Sequence, residues 1–286
     1  MRIARGISVT NTSKPISTAI VYDADAAAFF TAASITDNTQ KSAVNQLVLD
    51  LKSASIWTKM KALYPVVGGV ASSHAINLKT PGTYNLTFAT GWTHASTGMT
   101  PNGATYADTF LIPSTAFANT NVHLSFYSRT TTNVGRVDMG AFWTDSPGTN
   151  PTQNTSAFQL ETGRSLDGNA IGYLSNDDTN RISYTQTNAS GMFVLSRTAN
   201  NALKMFQNNV LKQTNTTINS AAFNKLPQNK IVIGAINYRD STTSNITAFG
   251  SHQCAFSSIG DGLTDAEASA FYTAVQNNQT TLGRQL

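Results

Sequence analysis

The chain has 286 residues, 12% of them charged, with a formal net charge of +4 and one cysteine. That length suits one large domain or a domain with an extension, and 40% hydrophobic residues argue against a disordered tail. The 19 Lys and Arg are scattered singly, which excludes a basic nucleic-acid surface, and no apolar run approaches the ~20 residues that span a bilayer.

Residues 1–22 read as a polar arm, and MRIARGISVTNTSKP lacks the apolar core of a secretion signal. Helix is expected from Asp23, whose acidic neighbours suit the positive end of the helix dipole. A second helix follows, with Asp37 and Gln40 as a capping box and Val44, Leu47, Val48 and Leu51 as an apolar stripe. Residues 23–64 are expected to be helical, and Pro65 with Gly68-Gly69 closes a lead-in that runs over 23–70. This unit is too small to fold alone. Its stripe must pack on the following domain or on a neighbouring chain.

From about Ala75 the hydrophobic period becomes two. Tyr84, Leu86 and Phe88 alternate with polar or small residues, as do Val122, Leu124 and Phe126, then Val137, Met139, Ala141 and Trp143. Further strands are predicted at 157–162, 169–174, 181–186, 191–197, 203–207, 210–214, 231–237 and 253–258. Asn208-Asn209 marks a two-residue hairpin, because asparagine tolerates positive φ. Gly260-Asp261-Gly262 reads as a turn. Thr264 and Glu267 then cap a helix whose Ala268, Phe271, Tyr272 and Val275 share one face. The fold class expected is mainly β: an antiparallel β-sandwich jelly roll over 71–286, preceded by a short helical segment and closed by a C-terminal helix.

Three stretches carry a resemblance: ALKMFQNNVLKQT, KIVIGAIN and the ending AFSSIGDGLTDAEASAFYTAVQ. Together they resemble the concanavalin A-like lectin/glucanase sandwich, and within it the laminin G-like jelly rolls. A narrower likeness is to structural proteins of tailed bacteriophages, carried by LVLDLKSASIWTKMKALYPVVGG, GWTHASTGMTPNGATYADTFL and QTTLGR. That likeness implies a virion location, other virion proteins as partners, and a homo-oligomeric or multi-copy assembly. It also admits cell-surface glycan as a ligand. A glycan-binding adhesin that is not primarily structural is the rival expectation. In either case membrane insertion and nucleic-acid binding are not expected.

Catalysis finds no framing motif. Glycoside hydrolysis needs a pair of carboxylates, and the glucanases of the resembling fold set theirs on alternate residues of one strand. This chain has Glu161 and Glu267 as its glutamates, and Glu161 has no acidic residue at i+2 or i+4. No nucleophile elbow surrounds a serine, and Cys254 has no partner motif. His74, His94, His123 and His252 lack zinc spacing. The protein is therefore expected not to be an enzyme and to need no cofactor.

Calcium is the one ion to weigh. Lectin-like jelly rolls bind it through oxygen ligands, and the resemblance implies Asp108 and Asp261. Each aspartate also has an ordinary reading as a loop or turn residue bonding its own backbone. Carbohydrate binding needs an aromatic face and planar polar groups. Trp92, His94, Asn102, Tyr106 and Asp108 supply that mixture in one segment, with Trp143 as a further candidate and Tyr173 and Tyr238 near other strand ends. Trp92 and Trp143 read equally well as core residues.

Overall fold

The computed structural model describes residues 20–118, 121–144, 155–176, 181–217, 226–240 and 242–286. The polar arm expected at 1–22 lies almost wholly outside them. Helices α1 (Ala24–Ala32) and α2 (Asn38–Ser53) come first, followed by β1 (Met60–Tyr64) and a single helical turn, α3 (Ala71–His74). Short strands β2 (Thr87–Phe88), β3 (Trp92–Ala95), β4 (Gly98–Pro101) and β5 (Ala107–Asp108) lead to α4 (Pro113–Ala116). The body continues through β6 (Val122–Ser128), β7 (Met139–Thr144), β8 (Thr155–Glu161), β9 (Asn169–Asn176), β10 (Ile182–Thr185), β11 (Gly191–Arg197), β12 (Leu203–Gln207) and β13 (Val210–Asn215). It ends with β14 (Val232–Ile233), β15 (Ile236–Arg239), β16 (Ser244–Thr247), β17 (Cys254–Gly260) and α5 (Asp265–Thr281).

The strands form two sheets. The first has the order β13-β12-β11-β6-β17-β4-β3, with β1 also paired to β17. The second runs β10-β9-β8-β7-β14-β5-β2, with β15 on β7 and β16 on β15. Pairing is antiparallel except between β15 and β7. Leu124, Phe126, Phe193, Leu195 and Ile259 from the first sheet meet Met139, Phe158, Leu160, Leu174, Ile231 and Ile233 from the second in one buried core. The fold is thus a mainly β, antiparallel sandwich.

A third layer covers the outer face of the first sheet. Tyr127, Met192, Val194, Phe206 and Phe256 project outward and pack with Phe29, Val44, Leu47, Leu51, Phe271 and Val275 of the helices. Both faces of β6 are therefore buried along its whole length, although its sequence alternates. The polar residues within it find partners: His123 Nε2 lies 2.9 Å from Ser258 Oγ, and Ser125 Oγ lies 2.6 Å from the same hydroxyl. The stripe Val44, Leu47, Val48 and Leu51 is at most 1% exposed, so it packs within its own chain and is not a free surface. Each such side chain contributes about 2 kcal/mol of burial.

Several local expectations need correction. Helix α2 ends at Ser53, a single 3-10 turn spans Trp57–Lys59, and Met60–Tyr64 is a strand paired with β17. Strand structure around Tyr84 shrinks to Thr87–Phe88, because Tyr84 turns at φ 56°. The Asp37 cap is one-sided: Asp37 Oδ1 accepts from Gln40 N at 2.8 Å, while Gln40 Oε1 reaches away to Gly68 N. The Thr264–Glu267 box is complete in both directions. Gly260 and Gly262 are demanded by crowding: a Cβ would stand 2.4 Å from Lys59 O and 2.2 Å from Arg197 O, respectively.

Candidate functional site

The residues singled out from the sequence do not gather into one site. Trp92 lies edge-on to Phe88 at 5.3 Å between ring centroids and stacks on His94 at 6.4 Å, partly buried against the inter-sheet core. His94 turns its Nδ1 toward that of His74. Asn102 serves its own turn, its Oδ1 accepting from Ala104 N at 3.0 Å. Trp143 is 9% exposed on β7, so its ring faces protein. Asp261 sits beyond β17 of the first sheet, 3.6 Å from Lys61 Nζ. Trp92 and His94 thus stay together in a partly buried stack, and Tyr106 and Asp108 are the candidates that line one open groove.

Ala107 between them points into the core, and strand alternation turns both neighbours outward. They line a groove of about 370 Å3 built from elements of the second sheet, with Asn229, Lys230, Asn237 and Arg239 on its other sides. Asp108 Oδ2 pairs with Lys230 Nζ at 2.8 Å, and Asp108 Oδ1 accepts from Phe110 N at 2.7 Å. That second bond helps hold Phe110 at φ 58° with its ring 46% exposed. A bulky residue in the left-handed region is sterically disfavoured. Lys230 Nζ stands 4.2 Å from the Phe110 ring centroid, a cation–π contact that ties this ring to a lysine of the groove's lining.

Asn229 forms part of the floor. Its Nδ2 donates to Phe142 O at 3.1 Å and to Asn237 O at 2.5 Å, while its buried Oδ1 has no partner among the described residues. The groove's described lining thus offers two cations, one carboxylate already engaged, three planar amides with Gln228 as the third, and the Tyr106 ring, while Phe110 packs beside the groove on Lys230. Sequence reading found Tyr106 and Asp108 but missed Phe110, Asn229, Lys230, Asn237 and Arg239. The groove joins residues 106–110 to 229–239, and only the alternation Asn237-Tyr238-Arg239 after a buried strand hinted at a polar wall.

Asp108 and Asp261 lie on different sheets and each faces a lysine, so they do not form a common calcium site. Among the described residues, no group of three or more His, Cys, Asp or Glu side chains is placed to hold a metal ion. A buried charged cluster does exist. Asp138 lies one step before Met139, the partner of Leu160, and so faces Glu161 across β7 and β8. Its Oδ1 is 2.8 Å from His252 Nδ1, and its Oδ2 accepts from Thr162 N at 2.6 Å. Burial pushes the Glu161 carboxyl up from its ordinary value, and the facing Asp138 adds to that. The sequence test for a partner at i+2 or i+4 could not see this neighbour on the adjacent strand. Glu161, Asp138 and His252 are each 1% exposed, so the cluster is closed to solvent. Cys254 is fully buried, and burial pushes its thiol up.

No protein-family model matches this sequence, and no curated protein sequence is significantly similar to it. Among solved structures the chain is similar to domain 4 of AbnA, an extracellular arabinanase from Geobacillus stearothermophilus solved with arabinotriose. The identity is 13%, the TM-score 0.40, and the match covers 74% of this chain and 98% of that domain. A Trypanosoma rangeli sialidase is 10% identical with a TM-score of 0.43, matching 81% of this chain and 38% of its own. The binding domain of botulinum neurotoxin serotype D is 12% identical with a TM-score of 0.44, and the match spans 77% of this chain and 52% of that one.

Proposed function

We propose that this chain is a non-catalytic carbohydrate-binding component of a bacteriophage particle, engaging host-surface glycan in the groove at Tyr106, Asp108, Lys230 and Arg239 and on the Phe110 ring beside it. The observation that carries the binding reading is Phe110: an exposed ring held in a disfavoured backbone conformation against Lys230, which itself lines the groove. A ring fixed in this way offers a flat apolar face for sugar C–H groups without an ordering cost on binding. Asn237, Lys230 and Arg239 stand where hydroxyl or carboxylate oxygens would lie.

Two features support the absence of hydrolysis. Asp108 is the one carboxylate lining the groove among the described residues, whereas glycosidases use two. Glu161, which does face a second acid, is buried. The particle reading, with other virion proteins and further copies of this chain as partners, is supported by the stretches 47–69, 91–111 and 279–284, which resemble tailed-phage structural proteins.

The test is binding of purified protein to an array of bacterial surface polysaccharides. Phe110→Ala and Arg239→Ala are expected to weaken binding at least about tenfold with unchanged melting, and no reducing ends should be released. Undiminished binding by Phe110→Ala would remove the groove from consideration. Absence of the chain from purified particles by mass spectrometry would remove the virion assignment.

A further inference from the structure

A second, larger cleft of about 620 Å3 lies at the opposite edge of the second sheet, between β10, the loop after it and the β12–β13 hairpin. Four interstrand steps separate β10 from β14, which at about 4.8 Å per step places this cleft roughly 19 Å from the groove. Among the described residues its lining contains amides, hydroxyls, one tyrosine and one lysine, Lys212, and no carboxylate.

The walls are tied together before any ligand arrives. Gln213 Oε1 accepts from Ser183 N at 2.9 Å, joining β13 to β10. Gln207 Oε1 accepts from the Tyr184 hydroxyl at 3.3 Å, and Gln207 Nε2 donates to Asn188 O at 2.8 Å. Asn188 Oδ1 accepts from Ser190 N at 3.0 Å, and Asn208 Oδ1 accepts from Met192 N at 2.9 Å. Each of these two amides has its oxygen committed to backbone, which fixes the amide orientation and leaves its NH2 group as the outward donor. Asn208 is further fixed by φ 49° at the hairpin tip, and its amide lies over Gly191, where a Cβ would stand 2.1 Å from the amide oxygen. Tyr184 packs one side against the core and lines the cleft.

We propose that this cleft is a second binding site, for a neutral, hydroxyl-rich ligand of the size of a short oligosaccharide. Asn188 and Asn208 donate to its hydroxyl oxygens, and Tyr184 supplies the flat apolar surface. Fixed neutral donors suit sugar hydroxyls, and the absence of any carboxylate gives a cationic ligand nothing to pair with. The volume falls within the range of small-ligand pockets. The site stands on its own observations and does not depend on the groove at Phe110.

The experiment is calorimetric titration with a panel of neutral oligosaccharides: glucose-, mannose-, galactose- and N-acetylglucosamine-based trimers. Wild-type protein is expected to bind at least one of them. Asn188→Ala should weaken that binding at least about tenfold, and so should Thr187→Trp, which fills the exposed rim without removing a structural hydrogen bond; melting should be unchanged in Thr187→Trp. Phe110→Ala should leave this binding intact. The proposal is overturned if no trimer binds wild type at millimolar concentration, if Thr187→Trp binds as wild type does, or if Phe110→Ala abolishes the same binding. The last outcome would assign the neutral sugar to the groove instead, so the two sites fail separately.

Discussion

His74 and His94 meet Nδ1 to Nδ1 at 3.0 Å. At that distance one ring must donate and the other accept, so the two Nδ1 atoms share one proton. Burial holds His74 down to about 3, with His94 and Arg284 adding repulsion. Burial likewise holds His123 down to about 4 and lowers His94. A depressed histidine binds fewer protons folded than unfolded, so its stability contribution is complete above 6.5 and lost as the pH falls toward the folded value. His252 runs the other way: beside Asp138 its pKa is raised, and its contribution is present below 6.5 and lost as pH rises through the folded value. The three lowered histidines act in one direction, and the raised His252 and Glu161 act against them. Melting temperature is expected to fall between about pH 7 and about pH 5, each depressed group contributing up to ~1.4 kcal/mol per pH unit. Thermal melts of His123→Gln across that range should show a shallower slope than wild type.

Arg284 is 2% exposed, and its guanidinium donates to Pro65 O at 2.6 Å, Val66 O at 2.7 Å and Ala255 O at 2.9 Å, as well as to Gln279 Oε1 at 2.7 Å. It fastens the end of α5 to the exit of β1 and to β17. Arg284→Ala leaves buried carbonyls unpaired and is expected to cost about 3 kcal/mol, measured by urea unfolding. Arg284→Lys should recover only part of this, because one ammonium cannot reproduce the planar fork.

Gly262 has no freedom to gain a side chain. With Arg197 O 2.2 Å from its Cβ position, Gly262→Ala must move either β11 or the start of α5. The expected cost is about 1–3 kcal/mol, read from the same unfolding curves.

The helical lead-in is part of the sandwich. Leu47→Ala opens a cavity between α2 and the first sheet and should cost about 2–5 kcal/mol. Removing residues 1–64 takes away β1 as well and bares Tyr127, Phe256 and Phe271. From the sequence, that deletion is expected to leave a folded or partly folded jelly roll that no longer incorporates into particles; from the packing, an insoluble chain. Solubility of the truncated protein decides between them.

Legibility followed sequence distance. The α5 capping box, the Asn208-Asn209 hairpin and the strands β6, β11 and β12 each rest on a few adjacent residues, and the sequence shows them. Met60–Tyr64 was hidden because its residues continue the helical pattern before them and become a strand through pairing with β17, about 200 residues away. Within the site, Tyr106 and Asp108 were readable as an aromatic and an acid near a strand end. Phe110 was not, since a positive φ at a phenylalanine has no signature in residue type. Asp138 and Glu161 face each other through register alone, and register appears only when the strands pair.

The packing of α2 against α5 sets an order on biosynthesis. These helices lie more than 200 residues apart in sequence, and they share one apolar layer over the first sheet. A ribosome adding about 5–20 residues per second leaves the Leu47 stripe without its mate for ten seconds or more after α2 emerges. β17, which joins β6 to β1, is also made late. The nascent chain therefore carries an uncovered greasy helix and an unclosed sheet through most of its synthesis. Folding completes only after α5 leaves the exit tunnel. Such a chain should lean on chaperones, and recovery of soluble protein should rise when translation is slowed or cooled.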